Sequence, residues 1–115
     1  MRVLFAATIA FALQFAPVTA QEFPFNRNPT LTVGQTVLLK GVRAANCRDN
    51  APAWSDIAPG LPKPQLGKLS DGGAGYAMSN RCKARVAARG VRFTATKAGT
   101  ESFTISGDRF KIVVK

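Results

Sequence analysis

The sequence predicts an all-β domain, a two-sheet sandwich of about seven strands stapled by one disulfide. Three observations predict it. Apolar and polar residues alternate with period two from Leu31 to Leu39 and again from Tyr76 to the end, which is the signature of half-buried strands. Glycine and proline punctuate these runs at short intervals, and no helical period appears after residue 20. The two cysteines, Cys47 and Cys82, follow an N-terminal segment of the kind that directs export.

That segment, "MRVLFAATIAFALQFAPVTA", has a positive start at Arg2, an unbroken apolar stretch from Val3 to Leu13, and small residues in Val18-Thr19-Ala20. It reads as a Sec-type signal peptide cleaved after Ala20. A membrane anchor is the rival reading, but a spanning helix needs about 20 apolar residues, and Gln14 and Pro17 interrupt this one early. The exported chain then has about 95 residues, close to the smallest size that a core alone stabilises. A Cys47–Cys82 bridge closes a loop of about 36 residues and contributes ~4 kcal/mol by the chain-entropy estimate. The alternative for the cysteines is two buried thiols.

Residues 21–29, "QEFPFNRNP", hold two prolines without periodicity and read as a flexible lead-in to a domain over 30–115, with Phe23 or Phe25 available to lie on it. Leu31 and Val33 alternate with threonines, Gly34-Gln35 turns the chain, and Val37 and Leu39 continue on a second strand. Between Ala51 and Gly75, four prolines and several glycines exclude long elements. A short strand over Gln65–Leu69 followed by a tight turn in "SDGGAG" is expected there, with Trp54 in core or loop packing or as a binding aromatic. Further on, Arg81, Lys83 and Arg85 fall on one face of a strand, with Cys82, Ala84 and Val86 on the other. Val91, Phe93 and Ala95, then Phe103 and Ile105, then Phe110, Ile112 and Val114 mark the inward positions of three closing strands, expected as a meander.

"GVRFTATKAGTESFTI" followed by "FKIVV" resembles the closing strands of bacterial immunoglobulin-like domains, over Val91 to Val114 and more faintly over Leu31 to Leu39. The resemblance implies an immunoglobulin-like sandwich and leaves the role open, because this fold hosts many functions. Cys82 precedes the three strongest strands, so the expected bridge ties the middle segment to the basic strand and is not the inter-sheet pin of antibody domains. The order of "LTVGQTV", a loop with Pro52 and Trp54, a glycine-rich turn and "FTATKAGTESFTI" is also similar to chagasin-type cysteine-protease inhibitors. That similarity implies inhibitory loops at Asp49 to Trp54 and Gly72 to Tyr76. The family's Asn-Pro-Thr-Thr-Gly and Arg-Pro-Trp motifs are not matched, "SGDRF" standing after Ile105.

Catalytic chemistry has few candidate groups. Histidine is absent, paired cysteines offer no thiolate, and the carboxylates Glu22, Asp49, Asp56, Asp71, Glu101 and Asp108 are scattered with no spacing that singles out a pair. The chain is therefore read as non-enzymatic, with no cofactor and no metal.

Charge is the strongest functional signal. The chain carries a net +10, or +9 once Arg2 is removed with the signal. Arg81, Lys83, Arg85, Arg89 and Arg92 crowd into a dozen residues. One account makes them the solvated, edge-guarding face of a strand. The other makes them a lattice of cations about 7 Å apart on one face that binds sulfate, phosphate or carboxylate groups. Export excludes cytosolic nucleic acid as the expected partner, and there is neither a recognition helix nor a basic-aromatic platform. Anionic polysaccharide, lipopolysaccharide or an anionic membrane surface fits better, and an envelope protein bound through sheet edges is the third reading. The short signal, the closing strands and the lack of a permitted Asn-x-Ser/Thr acceptor, Asn28 being followed by Pro29, point to the bacterial periplasm or secretion.

Protein produced from the full-length chain in a bacterium should begin at Gln21. Alkylation under denaturing, non-reducing conditions should add no mass; two alkyl groups in the intact mass would mean two free thiols.

Overall fold

The computed structural model describes residues 21–115; the segment read as a signal peptide lies outside the described residues. The strands are β1 Gln21–Glu22, β2 Thr30–Leu31, β3 Thr36–Arg43, β4 Gly67–Ser79, β5 Ala84–Ala95, β6 Gly99–Ile105 and β7 Asp108–Val114. They form two sheets, in the orders β1-β4-β5-β3 and β2-β7-β6. The chain is thus the all-β, seven-stranded sandwich with a Cys47–Cys82 bridge that the sequence predicts. The β3–β5–β4 and β6–β7 pairings are those of strands B, E, D and F, G in an immunoglobulin-type sandwich. No described strand takes the place of C. The proline-rich segment occupies that stretch of chain, with one helical turn, α1 Trp54–Ile57, and a 3₁₀ turn over Ala58–Gly60.

Several local expectations are corrected. Val33 is half-exposed and belongs to a turn: Thr32 N–H donates to Gln35 Oε1 and Gln35 N–H to Thr32 O, so β2 ends at Leu31. The short strand expected at Gln65–Leu69 is the start of β4, a 13-residue strand that runs through "SDGGAG". Those glycines make a bulge between Asp71 and Ala74 rather than a tight turn. Arg81 and Lys83 are in the β4–β5 turn, not on a strand, and Lys83 has a left-handed φ of 55°. The closing strands are not a meander, because β5 lies in one sheet while β6 and β7 form a hairpin in the other. Trp54 is on α1, half-buried against the core.

The β6–β7 turn follows its residues closely. Ser106 and Gly107 both have positive φ, 49° and 85°, as a two-residue hairpin of matching twist requires, and glycine meets that at no steric cost. Between the sheets, Val91, Phe93 and Ala95 of β5 meet Phe103, Ile105, Phe110, Ile112 and Val114. Burying each large apolar side chain contributes roughly 1.5–3 kcal/mol. Glu101 on β6 closes this core at one side: its carboxylate accepts from the N–H groups of Gln65 and Leu66 at 3.0 and 2.9 Å. Across the other side, the Lys40 ammonium, with its side chain only 8% exposed, meets Asp108 at 2.5 Å. Asp108 is 38% exposed, so the pair is half-buried and its carboxylate keeps contact with water.

The larger sheet is covered on both faces, at opposite ends of β5. β5 itself runs unbroken from Ala84 to Ala95, its neighbours carrying the irregularities at Asp71–Ala74 and Leu38–Lys40, so Val91, Phe93 and Ala95 point to one face while Val86, Ala88 and Gly90 point to the other. The second face is covered by the lead-in, which lies across the sheet. β1 pairs in parallel with β4, Phe23 N–H donates to Tyr76 O, and Asn26 N–H reaches Leu39 O on β3 at the far side. Phe23, 6% exposed, rests on Gly75, Gly90 and Gly41 from three adjacent strands. A Cβ at Gly90 would stand 2.5 Å from the Phe23 ring, so the floor is glycine because the ring is there. Phe25 then packs edge-on against Phe110 and lies under the cations of Arg27 and Lys40.

Gly90→Ala should therefore cost about 1–3 kcal/mol in the wild-type background and become neutral or stabilising in a Phe23→Ala background, read from urea melts of the four proteins in the cycle. Equal costs in both backgrounds would mean that Phe23 does not occupy the glycine floor.

Candidate functional site

The β4–β5 hairpin ends in a turn over Asn80–Lys83, and the disulfide joins that turn to the loop that leaves β3. Two segments 35 residues apart in sequence are thereby held at one end of the sandwich. Cys82 N–H donates to Ser79 Oγ, which fixes the turn. Arg81 reaches back and donates from Nη2 to Ala45 O at 2.7 Å, and Arg43, the last residue of β3, crosses β5 to donate to Met78 O at 3.0 Å.

Five cations collect there: Arg43, Arg48, Arg81, Lys83 and Arg85. The nearby carboxylates are Asp49, which accepts from Asn46, Glu22, which pairs with Arg85 at 3.2 Å, and Asp108, which pairs with Lys40, so positive charge dominates this end. Arg43, Arg48, Arg81 and Lys83 form no ion pair among the described residues. A cleft of about 450 Å³ opens between Arg43 and Arg81, with Ser79, Asn80 and Ser106 on its walls. Each of its two arginines is fixed by one bond to a backbone carbonyl and keeps its remaining N–H donors. Arginine donors held in place beside hydroxyl and amide groups are suited to planar oxyanions such as sulfate, phosphate and carboxylate.

The five cations singled out by the sequence do not form one face. Arg81, Lys83 and Arg85 belong to the basic end, Arg85 lying over the Tyr76 ring at 5.6 Å. Arg89 shares the face of Arg85 but is held for a different purpose: with its side chain 19% exposed, it donates from Nε to Pro52 O and from Nη1 to Asp71 Oδ1. It pins the proline-rich segment to the sheet. Arg92 points to the opposite face and donates from Nε and Nη2 to Asp71 O. Arg85 and Arg92 stand about 23 Å apart along the strand. Sequence reasoning missed Arg43 and Arg48. The bridge it predicts places Arg48, next to Cys47, beside Arg81 and Lys83, so the signal for Arg48 was present in the cysteine pairing. Of the two segments similar to inhibitory loops, Asp49 to Trp54 leads into α1, and Gly72 to Tyr76 lies within β4.

Comparison of the chain with protein-family models, curated proteins and solved structures finds no match. The basic end accordingly rests on its own geometry.

Replacing Arg81 and Arg85 with Ser and Lys83 with Asn, which accepts a left-handed φ, should change unfolding free energy by no more than about 0.5 kcal/mol. Arg89→Ser should cost about 1–3 kcal/mol, because it leaves Pro52 O without its donor and Asp71 without its ion pair. Urea melts distinguish the two; a large loss in the triple variant would mean that its cations hold the fold.

Proposed function

We propose that the chain is an exported, non-catalytic binding module of the bacterial envelope, which holds an anionic glycan at its disulfide-clamped basic end. The observation that carries this reading is the convergence of Arg43, Arg48, Arg81, Lys83 and Arg85 on one end of the sandwich, four of them without a carboxylate partner among the described residues. The disulfide favours an oxidising compartment, which is where the N-terminal segment directs the chain. In that compartment the abundant polyanions are sulfated, phosphorylated or carboxylated polysaccharides, lipopolysaccharide among them.

The clamp contributes pre-organisation. A loop and a turn that are already tied together lose little freedom when a polymer binds, so more of the electrostatic attraction appears as affinity. Arg43 and Arg81 supply directed donors along the cleft, while Lys83 and Arg48 supply field beyond it. Recognition of this type selects charge density over sugar identity.

Dextran sulfate and purified lipopolysaccharide are the probes, with neutral dextran as the control. Binding should occur to the first two and weaken steeply with added salt, as the screening length falls from about 10 Å at 0.1 M to about 3 Å at 1 M. The variant Arg43→Ser/Arg81→Ser/Lys83→Asn should lose most of the binding while keeping the circular dichroism spectrum of the wild type. Equal binding of that variant, or binding indifferent to salt, overturns the proposal.

A further inference from the structure

Sheet edges are hazards that folds usually blunt, and three of the four edges here are blunted. β1 and β2 are two residues long. The remainder of the β4 edge carries the Asp71–Ala74 bulge and the exposed Lys68. The β3 edge has an irregularity between Leu38 and Lys40, and Asn26 N–H bonds to it at Leu39 O. Short strands, bulges, charges and covering segments are the usual protections.

β6 has none of them along Thr100 to Thr104; only Gly99, at its start, is met by a covering residue, Leu66. It is seven residues long, pairs with β7 in unbroken register from Gly99 to Ile105, and contains no proline. Its solvent-facing side chains, Thr100, Ser102 and Thr104, are exposed and uncharged, while its one charge, Glu101, is turned inward to Gln65 and Leu66. The side of β6 away from β7 is where strand C stands in an immunoglobulin-type sandwich, and no described strand fills it. The two-residue turn makes Ile105 and Asp108 a bonded pair, so by alternation Phe103 and Glu101 also bond to β7. The N–H and C=O groups of Thr100, Ser102 and Thr104 therefore point outward, and none makes another backbone bond among the described residues.

We infer that β6 pairs antiparallel with β6 of a second copy, joining two three-stranded sheets into one about a two-fold axis at Ser102. This register aligns Ser102 with its counterpart and Thr100 with Thr104 of the other copy, each pair exchanging both N–H···O=C bonds across the open edge. The facing side chains are hydroxyl pairs, which are favourable cross-strand neighbours. Net charge of the same sign does not prevent it: Arg27, Arg109 and Lys111 line a cleft with Ser102, but Lys111, directly opposite Ser102 on β7, stands three strand spacings from its counterpart, about 14 Å. Ser106, at the end of β6, lines the same cleft as Arg43 and Arg81, so the basic end lies at the Ile105 side. Antiparallel pairing sends the two basic ends in opposite directions, separated by at least the length of a seven-residue strand, about 23 Å. The screening length at physiological salt is about 8 Å. A second copy meets all of these conditions with one strand. The inference stands on the sheet edge alone and does not depend on what the basic end binds.

Sedimentation velocity over a wide concentration range tests it, on protein produced from the full-length chain. The wild type should shift from monomer to dimer as concentration rises, and the shift should persist or strengthen with salt. Ser102→Pro removes an outward N–H that has no partner within the chain, so the fold should survive while dimerisation is lost. Ser102→Lys, at an exposed position, should also give a monomer, because it sets like charges directly opposite each other. A wild type that stays monomeric at every concentration overturns the inference, as does a dimer that persists in both variants. Polyanion binding by the monomeric variants is read separately, so failure of one proposal leaves the other distinguishable.

Discussion

The structure depends on a mismatch of lengths. β5 is twelve residues long, about 40 Å, whereas β6 and β7 are seven residues each, about 23 Å. The smaller sheet can cover only the half of β5 that carries Val91, Phe93 and Ala95. The other half needs its own cover, which comes from the opposite side: the lead-in crosses that face and places Phe23 over Ala88 and Gly90. One strand therefore changes its buried face part-way along, at the level where both of its neighbours carry irregularities. Gly41, Gly75 and Gly90 follow from this, since the Phe23 ring lies so close to these backbones that a Cβ at any of the three would meet it at 2.5–2.7 Å.

The same mismatch produces the basic end. Beyond Phe23, the β4–β5 hairpin projects past the inter-sheet core, and little apolar burial holds its tip. The Cys47–Cys82 bridge supplies the constraint there, by chain entropy rather than by contact area. A tip without a core also has no low-dielectric interior to penalise charge, so Arg48, Arg81 and Lys83 can gather without paired acids. Stability and site are thus separated in space. The closing strands carry the core, and the stapled hairpin carries the charge.

How much of this was legible in the sequence depends on how local the cause was. Val91 to Val114 was readable because each strand there has one buried face, and alternation reports that directly. "SDGGAG" was misread because glycine clusters usually mark turns; here they serve a bulge and a ring arriving from residue 23, which no window around residue 72 contains. Alternation also misled at Arg81, Cys82 and Lys83. The pattern of the strand continues into the turn, and the left-handed φ of Lys83 leaves no trace in composition. Trp54 stayed ambiguous because its packing depends on Arg89 holding Pro52 from another strand.

The basic segment that dominates the sequence divides into two kinds of work, and the irregular stretch between β3 and β4 explains the division. That stretch forms no strand, so the proline-rich segment must lie against the sheet with few backbone bonds of its own. Long polar side chains make the attachments: Arg89 to Pro52 O, and the Glu101 carboxylate to the Gln65 and Leu66 N–H groups. Arg92 and Arg89 both converge on Asp71, at the bulge where β4 bends. Two of the five clustered cations are thus attachments that replace strand hydrogen bonds, and their charge is partly offset by Asp71. The other three, together with Arg43 and Arg48, face solvent, and of these only Arg85 has a carboxylate partner among the described residues, Glu22. Counting basic residues alone merges these groups. Separating them by what each guanidinium already touches leaves the basic end as the region whose donors are still free for an anion.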